Sequence, residues 1–198
     1  DPDSWAVSAE LGGTPGRRNE TTPNSVLINE ALLWTAGERW VELFNTEYSS
    51  RNLSGYWISN SRRLGEEGSR VQLPADTVIA ARGRLVFSEA DLGGLDLSPV
   101  GGAEAPEGSA GRRFIALLSP DASRVVNSYI FEPEAEEKSE ARIPDGDEDF
   151  SDRAVPTRGE ANRTAAETEI VINEIMYHPL HGPPSGDERF AEYIELYN

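Results

Sequence analysis

The chain has no cysteine, one methionine and only two histidines in 198 residues. It also has no apolar run long enough to cross a bilayer. The absence of cysteine excludes disulfides, thiolate metal sites and a thiol nucleophile together, while leaving the compartment open. Both histidines, His178 and His181, lie near the C-terminus. The long stretch before them therefore cannot assemble Cys–His or Ser–His–Asp machinery. No Gly-x-Ser-x-Gly elbow, Walker loop or dinucleotide fingerprint occurs. Positive charge is scarce as well: 18 Lys and Arg stand against 35 Asp and Glu, a formal charge of −17. Such a surface repels phosphate backbones and anionic membranes, which argues against nucleic-acid binding and membrane insertion.

Helical periodicity is almost absent, and the chain reads as short strands separated by turn signals. Strands are predicted at Ser25–Ala31, Glu38–Asn45, Leu53–Ser59, Arg70–Leu73, Thr77–Ala80 and Leu85–Ser88. Phe114–Ser119 and Arg124–Phe131 form a hairpin around Pro120-Asp-Ala-Ser123. About eight short strands without helices predict an antiparallel sandwich or barrel. Asp91–Gly111, rich in Gly, Ala and Pro, reads as a long mobile loop. Glu132–Asp152 reads as a solvated acidic excursion or linker.

Part of the chain occurs twice. Pro156-Thr-Arg-Gly-Glu-Ala-Asn162 and Ile170-Val-Ile-Asn-Glu-Ile175 echo Thr14-Pro-Gly-Arg-Arg-Asn19 and Val26-Leu-Ile-Asn-Glu-Ala31. Tyr193-Ile-Glu-Leu-Tyr-Asn198 likewise echoes Trp40-Val-Glu-Leu-Phe-Asn45. Thr157 follows Thr14 by 143 residues, and Asn173 follows Asn29 by 144. A period this long means tandem domains, since solenoid repeats run about 20–50 residues. The division expected is a tail and linker at 1–23, one complete domain at 24–162, and a linker with the opening of a further domain at 163–198. The chain is thus expected to be an excerpt of something larger. The paired Asn-Glu and Glu-Leu-aromatic-Asn motifs are read as structural, Asn closing turns and Glu bonding backbone or pairing with Arg.

In this order the motifs resemble the lamin-tail domain. They are Val-Leu-Ile-Asn-Glu, Trp-Val-Glu-Leu-Phe-Asn, Leu53-Ser-Gly-Tyr-Trp-Ile-Ser59, Leu73-Pro ahead of Ala81-Arg-Gly-Arg84, and Phe114-Ile-Ala-Leu-Leu118. Ala141-Arg-Ile-Pro-Asp-Gly146 and the Thr-x-Gly closing segment are similar to the tails of bacterial copies. The resemblance implies an immunoglobulin-like antiparallel β-sandwich in an exported or cell-surface bacterial protein. It also implies a non-catalytic role in spacing, adhesion or protein interaction, with neighbouring domains of the same chain as partners. Alternatively, the resemblance places the chain as the accessory region of a secreted enzyme, of spore-coat-H-type kinase or hydrolase class. One departure stands out: Tyr56 occupies a position where the family usually has Trp, and Trp57 then faces away from Tyr56 and Ile58.

Three candidate sites can be read from the residues. Trp34, Trp40, Tyr48 and Trp57 cluster in the first three strands, and those facing solvent could stack a cell-surface glycan or anchor a protein. Trp57 is the one predicted to point outward, and a carbohydrate-binding sandwich is the corresponding reading; core packing is the plain alternative. Asp145, Asp147 and Asp149 alternate as in a calcium loop. The sixth and twelfth loop positions hold Phe150 and Pro156 in place of the Gly and Glu of an EF-hand. What remains there is a weak non-EF calcium site or, more simply, a solvated acidic turn; no other cofactor is implied. His178 and His181 have a zinc-compatible spacing beside Asp187 and Glu188, and read as loop histidines. Asn19, Asn52 and Asn162 begin Asn-x-Ser/Thr triplets, which carry no meaning in a bacterial protein.

Overall fold

A computed structural model describes residues 16, 25–62, 66, 68–99, 111–132, 137–151, 154–164, 171–176 and 193–197. His178, His181, Asp187, Glu188 and Asn19 lie outside the described residues. The strands are β1 (Val26–Leu32), β2 (Trp40–Asn45), β3 (Arg51–Asn52), β4 (Trp57–Ser59), β5 (Arg70–Gln72), β6 (Val78–Ile79) and β7 (Arg84–Ser88). They continue with β8 (Arg113–Leu118), β9 (Val125–Phe131), β10 (Glu140–Arg142), β11 (Phe150–Ser151), β12 (Val171–Met176) and β13 (Tyr193–Tyr197). Among the described residues no helix is long and apolar enough to cross a membrane. The chain divides into two compact units, 1–164 and 165–198.

The larger unit is an antiparallel β-sandwich. One sheet has the order β11-β10-β1-β2-β7 and the other β5-β4-β8-β9, with a small β3-β6 pair beside them. Their inner faces form a single core, with Ile28, Val41 and Leu43 from the first sheet and Ile58, Ile115, Leu117 and Phe131 from the second. At an aligned sandwich spacing of about 10 Å, such side chains fill the interlayer space.

β1 departs from strict alternation. Val26 and Ile28 face the core before Asn29, whereas Ala31 and Leu33 do so after it. The register with β2 slips between Ile28 and Glu30, so Asn29 is the extra residue of a bulge. A bulge switches the in–out phase of a strand. Here it puts Asn29 and Glu30 on the outer face, where both are fully buried.

Two loop readings are corrected by the described residues. In Asp91–Gly111, Leu92, Leu95 and Leu97 are inserted into the core at 0%, 3% and 0% exposure. The backbone carrying them is tied down: Leu97 N donates to Glu89 Oε1 at 2.9 Å, Asn60 Nδ2 to the Asp96 carbonyl at 2.7 Å, and Arg113 to the Ser98 carbonyl. The low average hydropathy of the segment concealed three leucines, each separately plugging the sandwich; residues 100–110 lie outside the described set. Glu132–Asp152, read as a solvated linker, contains β10 paired with β1 and β11 paired with β10. Ser139 and Ala141 there are fully buried. Its charges dominated the reading, although Arg142 stacks on Phe150 at 4.4 Å and Phe150 stacks on Tyr129 at 3.7 Å.

The smaller unit is the two-stranded ribbon β12–β13. Its register places Ile172 opposite Leu196, Glu174 opposite Glu195 and Ile175 opposite Ile194, with a slip between Ile172 and Glu174. β1–β2 has the same arrangement: Ile28 opposite Leu43, Glu30 opposite Glu42, Ala31 opposite Val41 and the slip at Asn29.

Because Leu97 is fully buried, Leu97→Ala should cost about 2–5 kcal/mol in urea unfolding of the whole chain. A cost below about 0.5 kcal/mol would return the segment to the mobile-loop reading.

Candidate functional site

The outer face of β1–β2 does not meet water. It is covered by two segments from the end of the larger unit, the turn 143–149 and the closing stretch Thr157–Asn162. Backbone and side-chain bonds converge there on the motifs that recur along the sequence. Asn29 Nδ2 donates to Glu42 Oε1 at 2.9 Å and to Asp145 Oδ1 at 2.8 Å, while its Oδ1 accepts from Gly146 N at 3.0 Å. Thr157 N donates to Glu30 Oε1 at 3.0 Å and Gly159 N to Glu42 Oε2 at 2.8 Å. Asn162 Nδ2 spends both protons on the carbonyls of Asn29 and Arg142, each at 3.1 Å. Thr157, Gly159 and Asn162 thus act as a clasp closing the domain onto its own first strands.

Two glycines are required. Gly146 has φ +79°, and a Cβ there would lie 3.1 Å from Phe44 Cε1 and from Thr46 Cγ2. Gly159 has φ +84°, a left-handed conformation that lets its N–H reach Glu42.

Charge is unbalanced in this layer. Three carboxyl groups, Glu30, Glu42 and Asp145, face one guanidinium, that of Arg84. Arg84 pairs with both oxygens of Asp145 and stands 3.8 Å from Glu42. Burial therefore decides the state of the other two. Desolvation pushes the Glu42 carboxyl up to about 7, against the opposing hydrogen bonds from Asn29 and Gly159. Desolvation also raises Glu30, opposed by bonds from Ser139 and Thr157.

The hydrogen-bond geometry points the same way for Glu30. Thr157 Oγ1 lies 2.7 Å from Glu30 Oε2 and 2.8 Å from Asn162 Oδ1, and a hydroxyl has one proton for those two oxygens. Asn162 cannot be turned over, because its Nδ2 already serves two carbonyls. Every contact is satisfied when Glu30 is a neutral acid donating from Oε2 to Thr157, and Thr157 donates onward to Asn162. Glu30 Oε1 meanwhile accepts from Ser139 Oγ at 2.7 Å and from Thr157 N.

The acidic turn is organised by a cation of the protein itself. The carbonyls of Asp147 and Glu148 accept from Arg142 Nη1, and Asp145 is committed to Arg84, Asn29 and the Asn162 amide. A guanidinium thus occupies the carbonyl ligands a calcium ion would use. Asp145, Asp147 and Asp149 are not brought together as a ligand set: among the described residues no group of three or more His, Asp or Glu is arranged to hold a metal.

The four aromatic candidates do not form one platform. Trp40 is 2% exposed, so the expectation of a binding role is corrected: β2 is covered on both faces and Trp40 offers no ring face to a ligand. Trp34 packs partly buried against the core. Tyr48 is 90% exposed, near Arg82 at 5.8 Å. Trp57 lies in the other sheet; its Nε1 donates to the Pro120 carbonyl at 3.0 Å, and the Arg70 guanidinium covers its ring at 4.9 Å. An open recess of about 320 Å³ lies elsewhere, lined in part by Ser25, Arg51, Asn52 and Tyr56. Arg51, the cation of that lining, is held by both oxygens of Glu47. Asn162, one of the sequon residues, is buried with its amide fully engaged.

Neither the family models nor the curated proteins compared with this sequence contain a match to it. The clasp residues were visible as repeated motifs, but their mutual contact was not. The recurrence of Thr-x-Gly-x-x-Asn beside that of Asn-Glu was the available signal.

The raised carboxyl groups set the sign of the pH response. A carboxyl raised on folding contributes stability that is fully present below its unfolded value, near 4.5, and is lost as pH rises through about 7 for Glu42. The wild-type urea midpoint should fall between pH 5 and pH 8, on the order of a few kcal/mol in stability. Glu42→Gln should remove most of that slope while keeping stability at pH 8 at or above wild type. An unchanged slope in the variant would show that Glu42 is not the titrating group.

Proposed function

We propose that this chain is a non-catalytic β-sandwich module of lamin-tail type, one bead in a tandem array on an exported bacterial protein. Its work is spacing, adhesion or protein interaction, and its nearest partners are neighbouring modules. The carrying observation is the ribbon β12–β13, which has the strand register, the Asn bulge and the Glu–Glu pairing of β1–β2. Its Asn173 Nδ2 donates to Glu195 Oε1 at 2.6 Å, as Asn29 does to Glu42. Two independent stretches of sequence adopting one irregular geometry favour a module used more than once.

Clasp architecture fits a load-bearing spacer. The last ordered segment of the sandwich bonds directly to its first strands through Thr157, Gly159 and Asn162, so tension along the chain meets the clasp before the core. The acidic charge suits an exterior kept soluble among cations. The same module would serve equally as the accessory region of a secreted kinase or hydrolase, whose chemistry would reside in another domain. A carbohydrate-binding role finds less support, because Arg70 covers the Trp57 ring and the Trp57 N–H is bonded internally.

A screen of the whole chain by Trp fluorescence and melting temperature, against glycans and calcium, separates these readings. The spacer reading expects no saturable response. A sugar-dependent signal abolished by Trp57→Ala, or a calcium-dependent rise in melting temperature abolished by Asp147→Asn, would replace it with a recognition module.

A further inference from the structure

The clasp has two halves, a receptor and a closing segment, and the chain carries each of them twice. The receptor at Asn29, Glu30 and Glu42 is filled by Thr157, Gly159 and Asn162. The second receptor, Asn173, Glu174 and Glu195 on β12–β13, has its Asn–Glu bond formed at 2.6 Å, and all three residues are exposed. A second closing segment, Thr14-Pro-Gly-Arg-Arg-Asn19, preserves Thr, Gly and Asn at the same spacing. Gly16 also has the left-handed conformation of its counterpart, φ +76° against +84° at Gly159.

We propose that the polar face of β12–β13 is a docking site for the Thr14–Asn19 segment of a second copy of this chain, giving head-to-tail association. The proposal rests on the tandem reading of the ribbon. Three contacts define the fit. The Thr14 hydroxyl and amide would meet the Glu174 carboxyl, the Gly16 amide would meet Glu195, and the Asn19 carboxamide would meet the backbone at Asn173. Charge favours this pairing beyond the shared motif. Arg17 and Arg18 fill the positions of Glu160 and Ala161, so the segment brings two cations to a face presenting Glu174 and Glu195. Two further observations limit the fit to the polar face. Ile172, Ile175 and Ile194, on the opposite face, are 59–61% exposed and take no part. Tyr193, whose phenol is raised by its bond to Glu174, borders the notch.

The test is titration of the isotopically labelled whole chain with a synthetic peptide of residues 12–21, followed by amide shifts. Saturable shifts at 172–175 and 193–195 are expected, weakening with salt, with affinity lowered about tenfold or more by Asn173→Ala. A scrambled peptide of the same charge should leave these amides unmoved. Sedimentation of the unlabelled chain should show association that rises with concentration and is dispersed by the peptide. The proposal is overturned by silence at millimolar peptide, by equal shifts from the scrambled peptide, or by shifts at 28–30 and 42 alone. Cross-strand contacts between Glu174 and Glu195 in the same spectra separate the two failures. If they are present while the peptide is silent, only the docking proposal falls; if they are absent, the tandem reading falls with it.

Discussion

Asn29 is the residue on which the arrangement of the first sheet depends. As the extra residue of a bulge it changes the facing of β1 midway, so that the strand serves the core at both ends and turns Glu30 outward in the middle. Its side chain then joins three segments far apart in sequence, reaching Glu42 on β2, Asp145 in the acidic turn and Gly146 beside it. A buried carboxamide with all its valences used is worth more than its separate bonds, because any partner removed leaves another unsatisfied in a dry layer. The outer face of the first sheet is in effect a second core, held by hydrogen bonds where the first is held by apolar packing.

That layer also explains an oddity of charge. A chain of net charge −17 has exposed positions in plenty for its carboxylates, yet buries Glu30 and Glu42 at 0% exposure. The burial is sustained because the groups need not both be ionised. Arg84 neutralises Asp145, and Glu30 works as a proton donor within the chain Glu30–Thr157–Asn162. A neutral carboxylic acid costs far less to bury than a carboxylate. The closing segment therefore latches with a strength that depends on protonation, which links the end of the module to its beginning more firmly in mild acid than in alkali.

The acidic turn shows how a charge pattern misleads when its partners are distant. Asp145, Asp147 and Asp149 read as a ligand run because sequence places them side by side, whereas the fold separates their tasks. Asp145 faces inward to Arg84, and the carbonyls behind the turn receive Arg142 from β10. Much the same holds for the aromatic candidates. Proximity in the first strands did not become a shared surface, because Trp40 and Trp57 belong to different sheets.

The strand pattern, the turns and the hairpin around Pro120–Ser123 were legible in the sequence, since period-two hydropathy and turn residues act locally. So was the recurrence of Asn-Glu and Thr-x-Gly-x-x-Asn, which marked the parts of the clasp without saying that they touch. Only the tertiary structure decided the rest. Leu92, Leu95 and Leu97 enter the core one at a time from a glycine-rich loop and leave no periodic signature. β10 is three residues long amid charges, too short for alternation to show against its neighbours. The protonation of Glu30 arises from a hydroxyl shared between residues 127 and 132 positions away along the chain from Glu30 and from each other's reach in sequence terms, Thr157 and Asn162. Local physics writes strands and turns into the sequence; which buried polar groups meet, and which of them must then carry a proton, is settled by chain closure over more than a hundred residues.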